Sequence, residues 1–407
     1  HLYGTPWSRT AEQNHRMAEF HLAMEWIFYR GTQCWFANGR HNTHRGGGGW
    51  LAGIANNLLN VPGPFVRAED RAALAAMAAR LNKDPENSIT GNRFFFRNLY
   101  MIHRRPDYYM DVKMTSPLAG PSESFAGQVP WNMGFADGVT TFMRDGKEYD
   151  ALHSNNGPNA AYGVVTGFYK DPGKSGQIKQ DGNPCLWQFR ALPGTTKLDD
   201  ETFAPDRYRG GSGSTAGGVS DGVLGHGAFH FALGSHGAEA RKFYAFTDDG
   251  MVVLNSNIST LRKDKVPADV TLRSNLNQCD WKSDIRIVRQ NGKVHVLPLA
   301  SDNNSLTLPL DQRYWIEHDG IGYLVMPTGC EGGPGKPGTL RLHAATRTPL
   351  TPVPGLQYTP DQLALIKQAT KPDRAAKVFH LWIDHGQQVV DAKAAYFVCM
   401  RAAMADV

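Results

Sequence analysis

Between residues 38 and 45 the chain sets two arginines, two histidines and two asparagines close together, six of those positions reading Arg40-His41-Asn42-Thr43-His44-Arg45. A guanidinium clamps a carboxylate through two parallel hydrogen bonds, and beside a phenol it lowers the pKa by favouring the phenolate. Asn38, His41, Asn42 and His44 add neutral hydrogen-bonding groups of the kind that hold hydroxyls. The same run leads into Gly46 to Gly49 and also reads as a solvated loop that happens to carry two arginines. Glu123 lies in a turn-like stretch, Gly120-Pro-Ser-Glu-Ser-Phe-Ala-Gly127. It reads either as the carboxylate that orients an arginine or as a surface turn residue. Trp131 and Trp187 offer flat faces for stacking, although large aromatics in β-rich proteins also fill cores. His41 with His44, and His226 with His230, are the close histidine pairs. Spacing supplies no third ligand to either, so neither a metal nor a cofactor is expected.

The elements that must hold these groups fall into two kinds. Residues 1–85 read as helical. Thr10 and Gln13 make a capping box, and Met17, Phe20, Met24, Ile27 and Phe28 then recur at helical spacing until Gly31. A second helix is expected over 50–59, stopped by Pro62-Gly63-Pro64, and a third over 68–81 with Leu74, Met77 and Leu81 on one face. Three helices joined by Gly-rich loops suggest the end of a larger helical array. From about residue 86 the period changes. Met110, Val112 and Met114 alternate with Tyr109, Asp111 and Lys113, the pattern of a half-buried strand. Asp145-Gly146, Asp249-Gly250, Asn291-Gly292 and Asp319-Gly320 sit between alternating runs, and such pairs favour hairpin turns because both central residues need positive φ. Residues 86–407 therefore read as one large antiparallel β region of stacked sheets, with a short helix expected over 362–369.

Composition bounds the function. The chain has 407 residues, 41% of them hydrophobic and 20% charged, with 43 glycines and 24 prolines, which suits a turn-rich globular protein of more than one packed unit. No apolar run is long enough for a transmembrane helix. The formal net charge of +5 is compatible with an acidic ligand, but no basic run resembles a nucleic-acid-binding segment. Cys34, Cys185, Cys279, Cys330 and Cys399 are widely spaced and odd in number, which argues against a zinc site and a disulfide framework.

Six segments stand in order along nearly the whole chain, at Tyr3 to Trp7, Arg104 to Met114, Glu123 with Gly134 to Gly138, Leu192 to Thr196, Gly217 to Gly222, and Trp382 to Gly386 with Tyr396, and together they resemble the polysaccharide lyases of family 8. Tyr3-Gly4-Thr5-Pro6-Trp7 is similar to the family's "SGTPW", and the run from Arg104 to Met114 to its "HRPDWYFSVRM". Glu123 followed by Gly134-Phe-Ala-Asp-Gly138 resembles the "YE…GENLKGWYTGDG" stretch. Leu192-Pro-Gly-Thr-Thr196 matches "RLPGTT", Gly217 to Gly222 matches "GGVSDG", and Trp382 to Gly386 with Tyr396 resembles the closing "HG…YAY". The sequence departs from that pattern in an Asn/Gly-rich stretch over about 153–183 and at Gln128-Val129, where the family has Glu-Asn.

The resemblance implies an α+β multidomain fold, the end of an (α/α) toroid over 1–85 followed by an antiparallel β super-sandwich over 86–407. It implies β-elimination next to a uronic acid in hyaluronan, chondroitin or xanthan, with an acidic polysaccharide as partner and a secreted or periplasmic bacterial location. Arg40 takes the place of the family's catalytic arginine, Arg45 of a substrate-binding arginine, and Glu123 of the glutamate that orients Arg40. Asn38, His41, Asn42, His44 and Trp131 are expected along the substrate cleft. The family's catalytic His/Tyr segment precedes "SGTPW", so the remainder of the toroid is an expected partner and the base an expected contribution from upstream of His1. Neither Tyr29 nor His41 has that segment's surroundings. A non-catalytic carbohydrate-binding protein of the same fold, and a glycoside hydrolase or phosphorylase of toroid-plus-sandwich build, are the alternatives. The last needs two carboxylates at the scissile bond, of which Glu123 alone is suitably placed.

Overall fold

The computed structural model describes residues 3–34, 37, 49–83, 89–120, 136–152, 167–170, 178–181, 186–188, 191–199, 214–233, 237–327, 337–347 and 375–402. The helical part comprises α1 (Ala11–Met24), α2 (Gly49–Leu59) and α3 (Ala68–Lys83), with a small hairpin of β1 (Phe28–Tyr29) and β2 (Thr32–Gln33) after α1. Thr10 caps α1: its side chain accepts from the Gln13 N–H while the Gln13 side chain accepts from the Thr10 N–H. Asn14, Ala18 and His21 are buried on α1, and Met17, Met24, Ile27 and Phe28 of the expected stripe pack on the helical core, whereas Phe20 alone of that stripe is exposed. The reason lies in its neighbours. The Asn14 side chain donates to the Phe65 carbonyl at 2.8 Å, and Ala18 lets α2 and α3 approach closely enough to share a core of Leu51, Leu58, Leu74 and Met77. No helix among the described residues is long and apolar enough to cross a membrane.

The strands follow as β3 (Gly91–Phe95), β4 (Tyr100–Arg105), β5 (Tyr108–Lys113), β6 (Val139–Met143), β7 (Gly167–Lys170), β8 (Ile178–Asp181), β9 (Thr196–Leu198), β10 (Thr215–Ser220) and β11 (Gly225–Leu233). Next come β12 (Ala238–Phe246), β13 (Gly250–Thr260), β14 (Thr271–Asp280), β15 (Ile285–Arg289), β16 (Val294–Leu297) and β17 (Asn303–Pro309). The last are β18 (Tyr314–His318), β19 (Ile321–Val325), β20 (Thr339–Arg347), β21 (Ala376–Gln387) and β22 (Ala392–Cys399). Every described pairing is antiparallel. They build a four-stranded sheet β3-β4-β5-β6, a five-stranded sheet β17-β20-β21-β14-β9, and a nine-stranded sheet β10-β11-β12-β13-β22-β19-β18-β15-β16.

One continuous apolar core joins these three sheets. The five-stranded and nine-stranded sheets meet where Phe379 stacks between His318 and Tyr323 and where the Asn277 amide donates to the Tyr323 hydroxyl at 2.6 Å. The four-stranded sheet packs on the other end of the large sheet: His103 stacks on Phe246, the Tyr108 hydroxyl donates to the Asp248 carbonyl at 2.8 Å, and Arg105 pairs with Asp248. Because β5 is covered on both faces, Tyr109 and Asp111 are buried along with Met110 and Val112, and the expected half-buried strand is a fully buried one. Asp249-Gly250, Asn291-Gly292 and Asp319-Gly320 join β12 to β13, β15 to β16 and β18 to β19 as expected. Asp145-Gly146 does not join two paired strands. It is a turn leaving β6, closed by Glu148, whose carboxylate accepts from the Arg144 and Asp145 N–H groups. The helix expected over 362–369 lies outside the described residues.

Candidate functional site

Asn38, Arg40, His41, Asn42, His44 and Arg45, and likewise Glu123 and Trp131, lie outside the described residues. What the structure supplies is the ground on which their two segments stand. After α1 the chain turns through β1 and β2, with Arg30 (φ 45°) and Gly31 (φ 75°) as the tip. Tyr29 points into the β domain and its hydroxyl donates to the Arg144 carbonyl at 3.2 Å. Cys34 then ends the described stretch inside the four-stranded sheet, its thiol donating to the Asp111 carboxylate at 2.9 Å. Asp111 also accepts from the Tyr109 hydroxyl at 2.9 Å and from the Tyr100 hydroxyl, and the two phenols lie 3.0 Å apart.

The second segment leaves and re-enters the same sheet. Lys113 pairs with Val139, so β5 and β6 open at that end towards 121–135. Asp111 pairs with Thr141, two residues from the opening, which places the Cys34 anchor about 7 Å along the strand from it. The re-entry is also pinned by charge. Asp137 and Lys197 form a buried ion pair at 2.8 Å, and beside it the Lys242 ammonium donates to the Gly194 carbonyl at 2.6 Å. Gly194 (φ +78°) packs so tightly on the Gly138 carbonyl and Thr140 that a Cβ there would lie 2.8 Å from the Thr140 hydroxyl.

Electrostatics mark these groups as structural. Burial pushes the Tyr100 and Tyr109 phenols well above 10, with the Asp111 charge adding to it, and burial raises Asp111 itself. Burial also pushes the Cys34 thiol up, so it is no thiolate nucleophile. Tyr29 is 1% exposed and its phenol is raised to about 12, chiefly by burial, which excludes it as an accessible base. Burial lowers Lys242 to about 7, outweighing the Asp137 charge. The helical part is tied on by Glu25, whose carboxylate receives both ends of the Arg80 guanidinium at 2.6 and 2.8 Å and whose carbonyl accepts from Arg104 at 2.9 Å.

Two other sequence candidates resolve differently. Trp187 is 2% exposed and stacks on Tyr149 with ring centroids 5.7 Å apart, so it is a core residue and not a stacking platform. His226 lies against Phe243 and His230 bonds Glu239 at 2.9 Å. Cys34, Cys279 and Cys399 are buried free thiols. Sequence reasoning missed Cys34, Asp111, Asp137, Lys197 and Lys242. A signal for one of them existed: an aspartate inside Tyr108-Tyr109-Met110-Asp111-Val112 is an acid in an otherwise apolar strand, which requires buried donors.

The sequence matches the family model for the polysaccharide lyase family 8 super-sandwich domain over residues 90–181 and 182–407. It is 26% identical over 307 residues to a chondroitinase-AC of Pedobacter heparinus, covering 75% of this chain and 34% of that protein. Among solved structures it is similar to a chondroitinase AC lyase studied with oligosaccharides, at a TM-score of 0.65 and 19% identity over 98% of this chain and 50% of the other. A Paenibacillus xanthan lyase superposes at a TM-score of 0.62 and 16% identity, over 98% of this chain and 36% of the other. The chain thus spans about a third to a half of the length of these relatives. The superpositions show a shared fold, and the match to the super-sandwich model over residues 90–407 shows that the chain belongs to polysaccharide lyase family 8.

Proposed function

We propose that this chain is part of a bacterial carbon–oxygen lyase that cleaves a uronate-containing polysaccharide by β-elimination. Membership of this family carries the proposal, and the described anchors support it: the Cys34 thiol binds Asp111, two residues from the end of β5 after which the chain runs on towards Glu123. The relatives are named for chondroitin and xanthan, so acidic polymers of that class, hyaluronan included, are the substrates to assay.

In the reaction the C5–H bond breaks and its proton passes to a base. The electron pair forms the C4=C5 double bond, the C4–O bond breaks, and the leaving oxygen takes up a proton. The C5 proton is weakly acidic while the adjacent carboxylate is ionised, so the site must neutralise that charge. In this reading Arg40 holds the proton-transferring phenol towards its anionic form and Glu123 fixes the Arg40 guanidinium. Arg45 binds a substrate carboxylate, while Asn38, His41, Asn42, His44 and Trp131 line the path of the sugars. The base comes from the remainder of the toroid, of which residues 1–85 are the end, with residues 86–407 as the second unit. A polysaccharide substrate of this class fits a secreted or periplasmic location.

The test is Arg40→Ala in the complete enzyme, followed by ultraviolet absorbance of the unsaturated uronate product. Turnover is expected to fall by about 10²–10³, with the melting temperature unchanged. Full turnover in the variant overturns the Arg40 assignment. Cleavage without an unsaturated product points to a hydrolase, and tight binding without cleavage to a carbohydrate-binding protein.

A further inference from the structure

From Asn87 to Pro106 the chain has four arginines and no acidic residue. Two of the four are consumed. Arg104 is buried and donates to the Glu25 carbonyl at 2.9 Å, and Arg105 pairs with Asp248. Arg93 and Arg97 are exposed, and among the described residues neither guanidinium has a hydrogen-bond or ion-pair partner. The carboxylates around them are occupied. Glu25 takes both ends of the Arg80 guanidinium. Asp221 lies in the turn whose Gly222 carbonyl accepts from the Asn92 N–H, and its side chain accepts from the Val223 and Leu224 N–H groups. The hairpin of β3 and β4 therefore carries unneutralised positive charge.

Arg93 is also held in place. Strand alternation sends Asn92 to the face packed on the nine-stranded sheet, where it lies against Gly225, and Arg93 to the opposite face, which the helical part meets. There the Arg93 guanidinium lies 5.8 Å from the centre of the Trp26 ring, contributed by the helical part, and 4.9 Å from that of Phe95 on its own strand. Tyr29 against Tyr109 and Cys34 on Asp111 occupy the same face. Contacts with aromatic faces use none of the five N–H donors, which stay in the guanidinium plane. An arginine fixed in this way has already lost much of the side-chain freedom that binding would otherwise cost, so its fork is a preorganised receptor for an oxyanion. Register places it beside the proposed site, not in it. Arg93 pairs with Ile102 and Ile102 with Asp111, the residue that holds Cys34, so Arg93 stands two strand spacings, about 10 Å, from the anchor of the segment leading to Arg40. Phe95 is likewise two strands from Lys113, after which the chain runs on towards Glu123. The turn beyond Phe95 carries Phe96, 68% exposed, with the Arg97 guanidinium 5.8 Å from the centre of its ring.

We propose that Arg93 is the oxyanion-binding residue of a further sugar subsite, which takes the acidic group of a polysaccharide unit beyond the one being cleaved. The guanidinium edge binds a carboxylate or sulfate through two parallel hydrogen bonds, Trp26 and Phe95 keep it in position, and Arg97 adds to the local positive field. Charge selects the occupant: an acidic unit supplies the partner that Arg93 lacks among the described residues, and a neutral sugar does not. A polymer held at this point and at the cleavage site is bound twice, which raises the effective concentration of substrate at the second. The inference rests on the lyase reading for the identity of the polymer.

The experiment compares the complete enzyme with its Arg93→Gln and Arg93→Lys variants. Retention on immobilised chondroitin, unsulfated and sulfated, is measured at low and high salt, and the ultraviolet assay of product runs in parallel. At low salt Arg93→Gln is expected to bind about tenfold more weakly than the parent. The difference shrinks at high salt, where charge is screened, and Arg93→Lys, which keeps the charge and loses the fork, falls between the two. In turnover KM rises by the same factor and kcat is unchanged. Loss on both polymers identifies the bound group as the carboxylate, and loss on the sulfated polymer alone identifies it as the sulfate. Parent-like binding by Arg93→Gln overturns the proposal. So does a loss of equal size at low and high salt, or a fall in kcat at unchanged KM, because Arg93 then only joins the helical part to the sheet. All three proteins are compared at a temperature below their melting transitions, so a less stable variant still gives the salt dependence. If Arg93→Gln binds weakly while the complete enzyme yields no unsaturated product, the subsite stands and the lyase reading falls. If binding is unchanged while product forms, the reverse holds.

Discussion

Replacing Lys242 by Met should remove a pH dependence that the wild-type fold carries. The Lys242 ammonium lies inside the contact between β12 and the Gly194 turn, and burial lowers its pKa from the usual 10.5 to about 7. The neighbouring Lys197 charge lowers it too, while Asp137 opposes both. In the unfolded chain the amine keeps its proton up to about pH 10. Between pH 7 and that value the unfolded state therefore holds a proton that the folded state has released, and stability rises with pH. At 1.36 kcal/mol per unit for one group, the rise from pH 7 to 9.5 is on the order of 3 kcal/mol. Below pH 7 both states are protonated and the group adds no slope. The substitution also takes a donor from the Gly194 carbonyl, a loss of about 1–3 kcal/mol that does not vary with pH and so cancels in a comparison of slopes. Urea denaturation of both proteins between pH 6 and 9.5 reads the difference. The wild type should gain on the variant above pH 7, whereas the two profiles should run parallel below it. Parallel profiles throughout would mean that Asp137 keeps Lys242 charged, and the reasoning about this buried pair of lysines would be refuted.

Glu148→Gln should act with the opposite sign. Burial, helped by the Asp145 charge, raises Glu148 from 4.5 to about 7, so the folded state holds the extra proton between those values. The stability this confers is present below about pH 4.5 and lost as pH rises through 7. The amide still accepts from the Arg144 and Asp145 N–H groups, so the variant should match the wild type at pH 5 and exceed it by about 1–3 kcal/mol at pH 8 in thermal melts. Gly194→Ala should destabilise by about 3 kcal/mol or more in chemical denaturation, because positive φ and the clash with Gly138 and Thr140 add together. Gly292→Ala, at the same kind of φ (+77°) but with nothing within 4 Å, should cost only about 1–2 kcal/mol. Equal losses at the two glycines would show that packing at Gly194 is not tight.

Much of the fold was legible because local rules and the tertiary structure agree. Asn291-Gly292 follows a run whose alternate residues, Ile285 and Ile287, face the core, and the turn chemistry makes the hairpin although Val294 and Val296 beyond it are exposed. The Thr10–Gln13 box is a purely local signal and marks the start of α1. Failures arose where a distant contact decided the outcome. Phe20 fits an apolar helical stripe, yet α2 and α3 meet α1 over Asn14 and Ala18, a choice that the α1 sequence alone does not contain. Asp145-Gly146 has hairpin composition, but Glu148 folds back on its N–H groups and Gly146 packs on Thr32, so the chain leaves the sheet.

The candidate site divides along the same line. Arg40, Arg45 and Glu123 are legible by type and by resemblance alone, and they lie outside the described residues. Their anchors are over-determined. Asp111 is held by a thiol and two phenols, and Asp137 by Lys197 with Lys242 beside it; the Cys34 and Lys197 bonds join parts of the chain more than 50 residues apart, the Tyr100 bond joins adjacent strands, and the Tyr109 bond lies within β5. A buried carboxylate or ammonium tolerates only the arrangement that supplies its partners, whereas an apolar contact survives small shifts. Polar groups in this core therefore cost stability individually, as the raised Asp111 and lowered Lys242 show. Together they tie Cys34 and β4 to β5, and the residues leading into β6 to β9. Specifying one arrangement is what a buried polar group does that a valine or leucine at the same position would not.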